Sequence, residues 1–152
     1  MKSLFLVLLC SLVGFVKGQD PAARSKAFNL DQGIAVRGFD PVAYFVQNKA
    51  IKGSKDYATV FNGVTYYFSS AADKEEFRKD PSRYEPQYGG WCAYAMGSDG
   101  SKVEIDPETF KIIDGKLFLF YNKFFNNTLK SWNKNEAALH RQADANWLKL
   151  NH

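Results

Sequence analysis

The chain has 152 residues, of which 45% are hydrophobic and 24% are charged, and its formal net charge is +4 at pH 7. Lysines alternate with acidic residues and form no basic patch, which argues against a nucleic-acid-binding protein. The length fits one domain that can bury a core without metal or disulfide cross-links.

The first 18 residues have the pattern of a cleavable signal peptide. Lys2 precedes an apolar run from Leu4 to Val16, and Gly18 is a small residue of the kind that signal peptidase accepts. The run is shorter than the ~20 residues that cross a bilayer, and polar sequence follows it. We predict cleavage after residue 18, and a mature protein that is secreted, or periplasmic in a Gram-negative bacterium.

After the signal, residues 19–30 are predicted to form a mobile leader without chemistry. Its first part, Gln19 to Lys26, is polar and contains Asp20-Pro21. Residues 31–150 show no internal repeat, low-complexity tract or linker. We therefore predict a single domain over residues 31–150.

Two dipeptides predict β-hairpins within this domain. Asn62-Gly63 and Asp114-Gly115 each lie between runs of β-branched and aromatic residues. Asn, Asp and Gly tolerate the positive φ angles that two-residue hairpin turns require. Each dipeptide is therefore expected to connect two antiparallel strands.

Helices are predicted between and after the hairpins. Ser69 or Ser70 can cap a helix over residues 71–78, because a serine oxygen accepts the free N–H groups of the first turn. From Asn122 onward, spaced apolar positions predict one or two further helices, whose tryptophans dock on a sheet. The order predicts an α+β fold in which the two hairpins form a small antiparallel sheet packed with helices.

Several motifs occur in a recognisable order along the predicted domain. The main ones are Gly38–Phe45, Tyr66–Ser70, Phe77–Tyr84, Pro86–Tyr94, Ile113–Leu117 and Ala143–Trp147. In this order they resemble the YHS domain family, and the resemblance covers nearly all of the chain after the signal. It is strongest to the exported bacterial-type YHS domain (seleno)proteins, so residues 31–150 are identified as a YHS-like domain.

The resemblance bears on metal binding. In metal-binding members of the family, cysteines follow Asp-Pro-Val and flank the aromatic residue that ends the hairpin, where they supply thiolate ligands. Ala43, Ser69 and Asp73 stand at those positions here, so a thiolate site is not implied at them. The histidine of the family name is also missing, since the only histidines are His140 and His152.

Cys92 is the one cysteine that remains once Cys10 leaves with the signal. A lone thiol in an oxidising compartment can be a buried hydrophobe, an intermolecular disulfide partner, or a reactive or metal-binding group. Some members of the exported group carry selenocysteine at the matching place, which implies redox or soft-metal chemistry. We predict a partly open pocket beside Cys92, lined by Trp91 and Tyr94.

Two further residues, Met96 and His140, are candidate metal ligands together with Cys92. Cys92 and Met96 are four residues apart, so on a helix both sulfurs face one way and could hold copper with His140 as a third ligand. Zinc is the alternative metal, and Met96 can equally fill the core. The identity of any cofactor stays open.

The absence of several catalytic motifs excludes some classes of function. The sequence has no Gly-rich phosphate loop, Gly-x-Ser-x-Gly elbow, His-Glu-x-x-His helix or Cys-x-x-Cys pair, which removes common hydrolase, nucleotide-binding and dithiol classes. Asn126 begins an N-glycosylation triplet that matters in a eukaryotic secretory pathway.

Three functions remain open. The first is an exported, non-enzymatic module that binds a metal ion or small ligand near Cys92, the second is a thiol-dependent redox enzyme with Cys92 as nucleophile, and the third is a structural or interaction domain. The first is favoured, because the thiol has no resolving cysteine and no nearby histidine base. We predict no nucleic-acid partner and no membrane span after signal cleavage.

Overall fold

The computed structural model describes residues 20–151, which form seven α-helices and eight β-strands. The helices are α1 (Pro21–Ala27), α2 (Ala43–Val46), α3 (Ala71–Lys79), α4 (Pro81–Tyr84), α5 (Ala93–Ser98), α6 (Thr128–Lys134) and α7 (Glu136–Leu150). The strands are β1 (Leu30–Asp31), β2 (Ile34–Ala35), β3 (Ser54–Phe61), β4 (Val64–Phe68), β5 (Asp106–Ile113), β6 (Lys116–Phe120), β7 (Asn122–Lys123) and β8 (Asn126–Asn127). The predicted signal peptide lies outside the described residues.

Both predicted hairpins are present, and the α+β class is confirmed. Antiparallel β3 and β4 are joined at Asn62-Gly63, and β5 and β6 are joined at Asp114-Gly115. The φ angles of these four turn residues are 45°, 81°, 49° and 72° in chain order. The local turn chemistry therefore predicted both connections correctly.

The two hairpins do not share one antiparallel sheet, contrary to the prediction. The first belongs to a four-stranded mixed sheet in the order β1-β2-β4-β3, whereas β5 and β6 form a separate pair. Parallel strand β2 occupies the free edge of β4, and Pro86 bridges to Leu117 at the free edge of β6. One edge of each hairpin is thus paired with a segment outside the hairpins.

Strand β6 lies between two clusters of buried side chains. Its residues alternate between the faces of the strand, with Leu117 and Leu119 in the first cluster and Phe118 and Phe120 in the second. The first cluster contains Tyr66 and Phe68 of β4 and Phe77 of α3. The second contains Trp132, whose ring centre is 5.8 Å from that of Phe118.

The predicted helices are also present. Ser70 caps α3, because its hydroxyl oxygen accepts the N–H of Asp73 at 3.1 Å. The C-terminal segment forms α6 and α7, and Trp132 docks on β6 as expected. Trp147 instead packs against Phe28, with 6.2 Å between the ring centres. Within the described part of the chain, no helix combines the length and apolar character needed to cross a membrane.

Residues 21–27, which fall within the predicted leader, form helix α1 and pack on the domain. The Asp20 carboxylate caps α1 by accepting the N–H of Ala22, and the helix docks on the domain through Arg24, which is only 7% exposed. The Arg24 guanidinium pairs with Glu85 at 2.5 Å, and its Nε donates to the carbonyl oxygen of Asn62 at 3.3 Å. The polar composition of the segment did not reveal partners that are distant in sequence.

Candidate functional site

Cys92 lies directly before α5, and its side chain is 0% exposed. The sulfur accepts the N–H of Tyr121 at 3.4 Å and lies 3.4 Å from Oγ1 of Thr128. The Thr128 hydroxyl donates to the carbonyl oxygen of Tyr121 at 2.9 Å, so the thiol is the donor toward Thr128. The thiol is therefore hydrogen-bonded inside the core.

This burial contradicts the predicted solvent access of the thiol, whereas its reactivity stays a prediction. The flanking residues also have structural contacts. The indole N–H of Trp91 donates to the carbonyl oxygen of Ala27 at 2.8 Å, and half-buried Tyr94 packs against both core clusters. Trp91, Cys92 and Tyr94 thus contribute to packing, and the thiol does not face solvent.

The Cys92 thiol is expected to resist alkylation in the native protein. A thiolate must reach solvent to react, and a fully buried sulfur does so only through opening of the fold. Mass spectrometry after iodoacetamide treatment, with and without denaturant, measures the two rates. Labelling that is equally fast under both conditions would refute the buried position.

The candidate metal ligands Cys92, Met96 and His140 do not come together in one site. Met96 is buried in the second core cluster, whereas Cys92 belongs to the first. His140 packs edge-on against Phe118, with 5.0 Å between the ring centres, and its Nε2 is 3.6 Å from Oδ2 of Asp144. Among residues 20–151, no group of three or more His, Cys, Asp or Glu side chains could hold a metal ion.

The positions at which the YHS family resemblance places thiolates form an oxygen-rich cluster here. Asp40 is fully buried, and its Oδ1 accepts the N–H groups of Val42 and Ala43. Its Oδ2 accepts both the N–H and the hydroxyl of Ser69, each at 2.7 Å, and the same hydroxyl oxygen lies 3.2 Å from Asp73. Both Asp40 oxygens are engaged within the protein and Ala43 offers no donor atom, so these residues do not fit a thiolate-bound metal.

The charged form of the Asp73 side chain is disfavoured in this cluster. Burial, and then the adjacent Asp40 carboxyl group, raise the pKa of Asp73 above its usual range. The folded protein therefore binds a proton at Asp73 more readily than the unfolded chain does. The stability that this proton contributes is complete below the unfolded-chain pKa and is lost as the pH rises through the raised pKa.

Substituting Asn for Asp73 is expected to stabilise the protein at neutral pH. The gain should be less than about 1 kcal/mol, because the Asp73 side chain is partly exposed, and it should vanish in acid. Thermal melts at neutral and acidic pH measure the effect, with exposed Asp56→Asn as the control. A variant that is less stable than the wild type at neutral pH would contradict this account.

A surface cavity of about 280 Å³ lies beside the segment that precedes Cys92. Its walls include Phe28 from the N-terminal segment, Glu85 to Gly89, and Asp144 and Trp147 from α7. A Cβ on Gly89 would lie 2.8 Å from Cδ1 of Phe28 and 2.9 Å from Cη2 of Trp147. Glycine at this position therefore allows the backbone to contact both rings.

Sequence reasoning missed this cavity. Its lining residues come from three separated stretches that share no motif, and the only signal was the Gly89-Gly90 pair, which allows close backbone approach. The hydroxyl of Tyr88 donates to Oδ1 of Asp144 at 2.8 Å. Burial, and then this hydrogen bond, raise the pKa of Tyr88, so the phenol stays a donor.

A larger cavity of about 550 Å³ is lined by Lys26, Lys102 and the first and last described residues, Asp20 and Asn151. Asn126 is exposed, whereas Thr128 of the same triplet is buried, and glycosylation at Asn126 stays a prediction.

Comparison with known proteins places part of this structure in a family. Residues 42–88 match the family model described as the YHS domain, a segment that runs from the start of α2 to Tyr88 and includes the first hairpin. Neither a curated protein nor a solved structure gives a significant match to the chain. The matched segment ends before Cys92 and includes Glu85 to Tyr88 of the smaller cavity. The segment at residues 42–88 is therefore similar to the YHS domain.

Proposed function

We propose that this protein is an exported, non-catalytic binding module whose ligand is a small organic cation. The ligand occupies the 280 Å³ cavity beside residues 85–89. The observation that carries the proposal is the combination of aromatic walls with one carboxylate whose charge is not balanced by an arginine or lysine within the cavity. Small-ligand sites typically contain a few polar groups that fix the orientation of the ligand.

The charges of the cavity favour a positive ligand. Its charged lining residues are Arg24, Glu85 and Asp144. Arg24 and Glu85 form an ion pair at 2.5 Å and balance one another. The Asp144 carboxylate accepts a hydrogen bond from the Tyr88 hydroxyl, and its side chain remains 61% exposed. It can therefore pair with an ammonium group that enters from solvent.

The aromatic walls favour the same ligand class. Trp147 lies between Phe28 and Tyr88, with ring centres 6.2 and 6.5 Å away, respectively. A cation above an aromatic ring is attracted by the negative face of the ring, most strongly for tryptophan. The apolar substituents of an organic ammonium ion would also be removed from water against these rings.

The buried thiol argues against the redox alternative. A nucleophilic cysteine needs access for its substrate, and Cys92 is 0% exposed and hydrogen-bonded to the main chain.

Export is supported by the pattern of residues 1–18. N-terminal sequencing of secreted protein is expected to give a terminus near Gln19, and an intact Met1 would contradict export.

Calorimetric titration of the purified protein with choline and with 3,3-dimethylbutan-1-ol tests the ligand class. The two probes have the same shape, but only choline carries a charge. We expect choline alone to bind saturably, and Asp144→Asn to weaken it by roughly tenfold or more, because the quaternary ammonium has no N–H and is attracted only by the charge of the carboxylate. The asparagine keeps an oxygen acceptor for Tyr88, and exposed Asp56→Asn is the matched control.

Equal binding of both probes, or choline binding that Asp144→Asn leaves unchanged, would refute the cationic ligand. Absence of binding by either probe, together with no melting-temperature shift from anionic or neutral compounds of similar size, would refute the binding module itself.

A further inference from the structure

The hairpin formed by β7 and β8 has an unusual turn. Strands β7 and β8 pair Lys123 with Asn126, which leaves Phe124 and Phe125 as the two turn residues. Their φ angles are 52° and 63°, so both lie in the left-handed region. Bulky side chains rarely adopt this conformation, because the Cβ atom crowds the backbone.

The other two-residue turns of the same chain provide the comparison. They use Gln32-Gly33, Asn62-Gly63 and Asp114-Gly115, and each has glycine, which left-handed turns favour, at the second position. Two phenylalanines in the equivalent place make folding less favourable than Asn-Gly would. Backbone strain of this kind is concentrated at functional positions.

Both rings point into solvent. Phe124 is 87% exposed and Phe125 is fully exposed, which makes them the most exposed large hydrophobic residues of the described chain. They contribute little to the core that could offset the strain of the turn. Adjacent exposed aromatic side chains at a protruding tip are typical of an interaction site.

The chain segment that carries this tip is positively charged. Residues 121–135 contain Lys123, Lys130 and Lys134 and no Asp or Glu, and all three lysines are exposed. Lys130 and Lys134 are four residues apart in α6 and therefore lie on one face of the helix. Glu136, the first acid beyond this segment, is paired with Lys111.

We propose that the Phe124-Phe125 tip docks this protein peripherally on an anionic phospholipid surface. The two rings enter the boundary between headgroups and acyl chains, where burial removes them from water. The lysines attract the anionic headgroups and hold the tip at the surface. No helix needs to enter the bilayer, and the cavity that binds the proposed cation is not involved.

The double variant Phe124→Asn/Phe125→Gly separates docking from folding. It installs the Asn-Gly turn that joins β3 and β4, so we expect a melting temperature above that of the wild type. We expect its partitioning onto vesicles of phosphatidylcholine and phosphatidylglycerol, mixed at about two to one, to fall by roughly tenfold or more, because most of the buried apolar area is lost. Val60→Ser, which removes an exposed hydrophobic residue from β3, is the control and should bind as the wild type does.

Vesicle co-sedimentation at two salt concentrations completes the test. Wild-type binding should weaken with added salt, with Lys130→Glu/Lys134→Glu, and on vesicles of phosphatidylcholine alone. Failure of the wild type to sediment with anionic vesicles, or unchanged binding by the Asn-Gly variant, would overturn the proposal. Concentration-dependent self-association that the Asn-Gly variant abolishes, without vesicle binding, would overturn it in favour of a contact between two copies of the chain.

Discussion

Replacing Arg24 with Met is expected to lower the free energy of unfolding by about 3 kcal/mol or more, the typical cost of breaking a buried ion pair. The substitution leaves the Glu85 carboxylate largely buried, with the Tyr66 hydroxyl as its remaining side-chain donor. It also removes the guanidinium that lies 4.4 Å from the ring centre of Phe28. Helix α1 would then lose its main attachment to the domain.

Urea unfolding of a small set of variants measures this effect. Arg24→Met/Glu85→Gln should recover part of the loss, because no unpaired charge is left buried. Lys26→Met, an exposed change in the same helix, should stay within about 0.5 kcal/mol of the wild type. An effect of Arg24→Met no larger than this would mean that the N-terminal segment is a loose leader after all.

Replacing Gly97 with Ala is expected to destabilise the protein by about 3 kcal/mol, the upper end of the usual range for overpacking. A Cβ at this position would lie 2.5 Å from the carbonyl oxygen of Leu139, and 3.1 and 3.2 Å from two further backbone atoms of the same residue. Backbone cannot rotate away as a flexible side chain can, so α5 and α7 would have to separate.

Gly115→Ala is the matched control for this substitution. Position 115 has no neighbouring atom within 4 Å of an added Cβ but has a φ of 72°, whereas Gly97 lacks a positive φ. Gly115→Ala should therefore lower the free energy of unfolding by about 1 kcal/mol, through the left-handed backbone conformation alone. Equal melting temperatures for the two variants would contradict the close contact between the helices.

Features that depend on neighbouring residues could be predicted from the sequence. Asn62-Gly63 and Asp114-Gly115 define their hairpins locally, and Ser70 caps α3 through a residue three positions away. The β7–β8 hairpin was missed because Phe124-Phe125 lacks turn-forming residues. The separation of the two predicted hairpins into different sheets was missed because strand pairing depends on contacts between residues distant in sequence.

The candidate site was harder to predict, since its contacts are long-range. Arg24 meets Glu85 across 61 positions, and Tyr88 meets Asp144 across 56. Neither pair follows a spacing that secondary structure imposes. A lone cysteine such as Cys92 likewise has the same local sequence whether it is buried or reactive, and only the packing around it distinguishes the two.

The position of β6 between the two core clusters affects how the molecule unfolds. Because successive side chains of this strand belong to opposite clusters, opening either cluster removes half of the contacts that hold the strand. Partial unfolding that preserves one cluster would leave the other face of β6 exposed to water. The two halves of the core should therefore melt in a single cooperative transition, with the amides of residues 117–120 exchanging only through global unfolding.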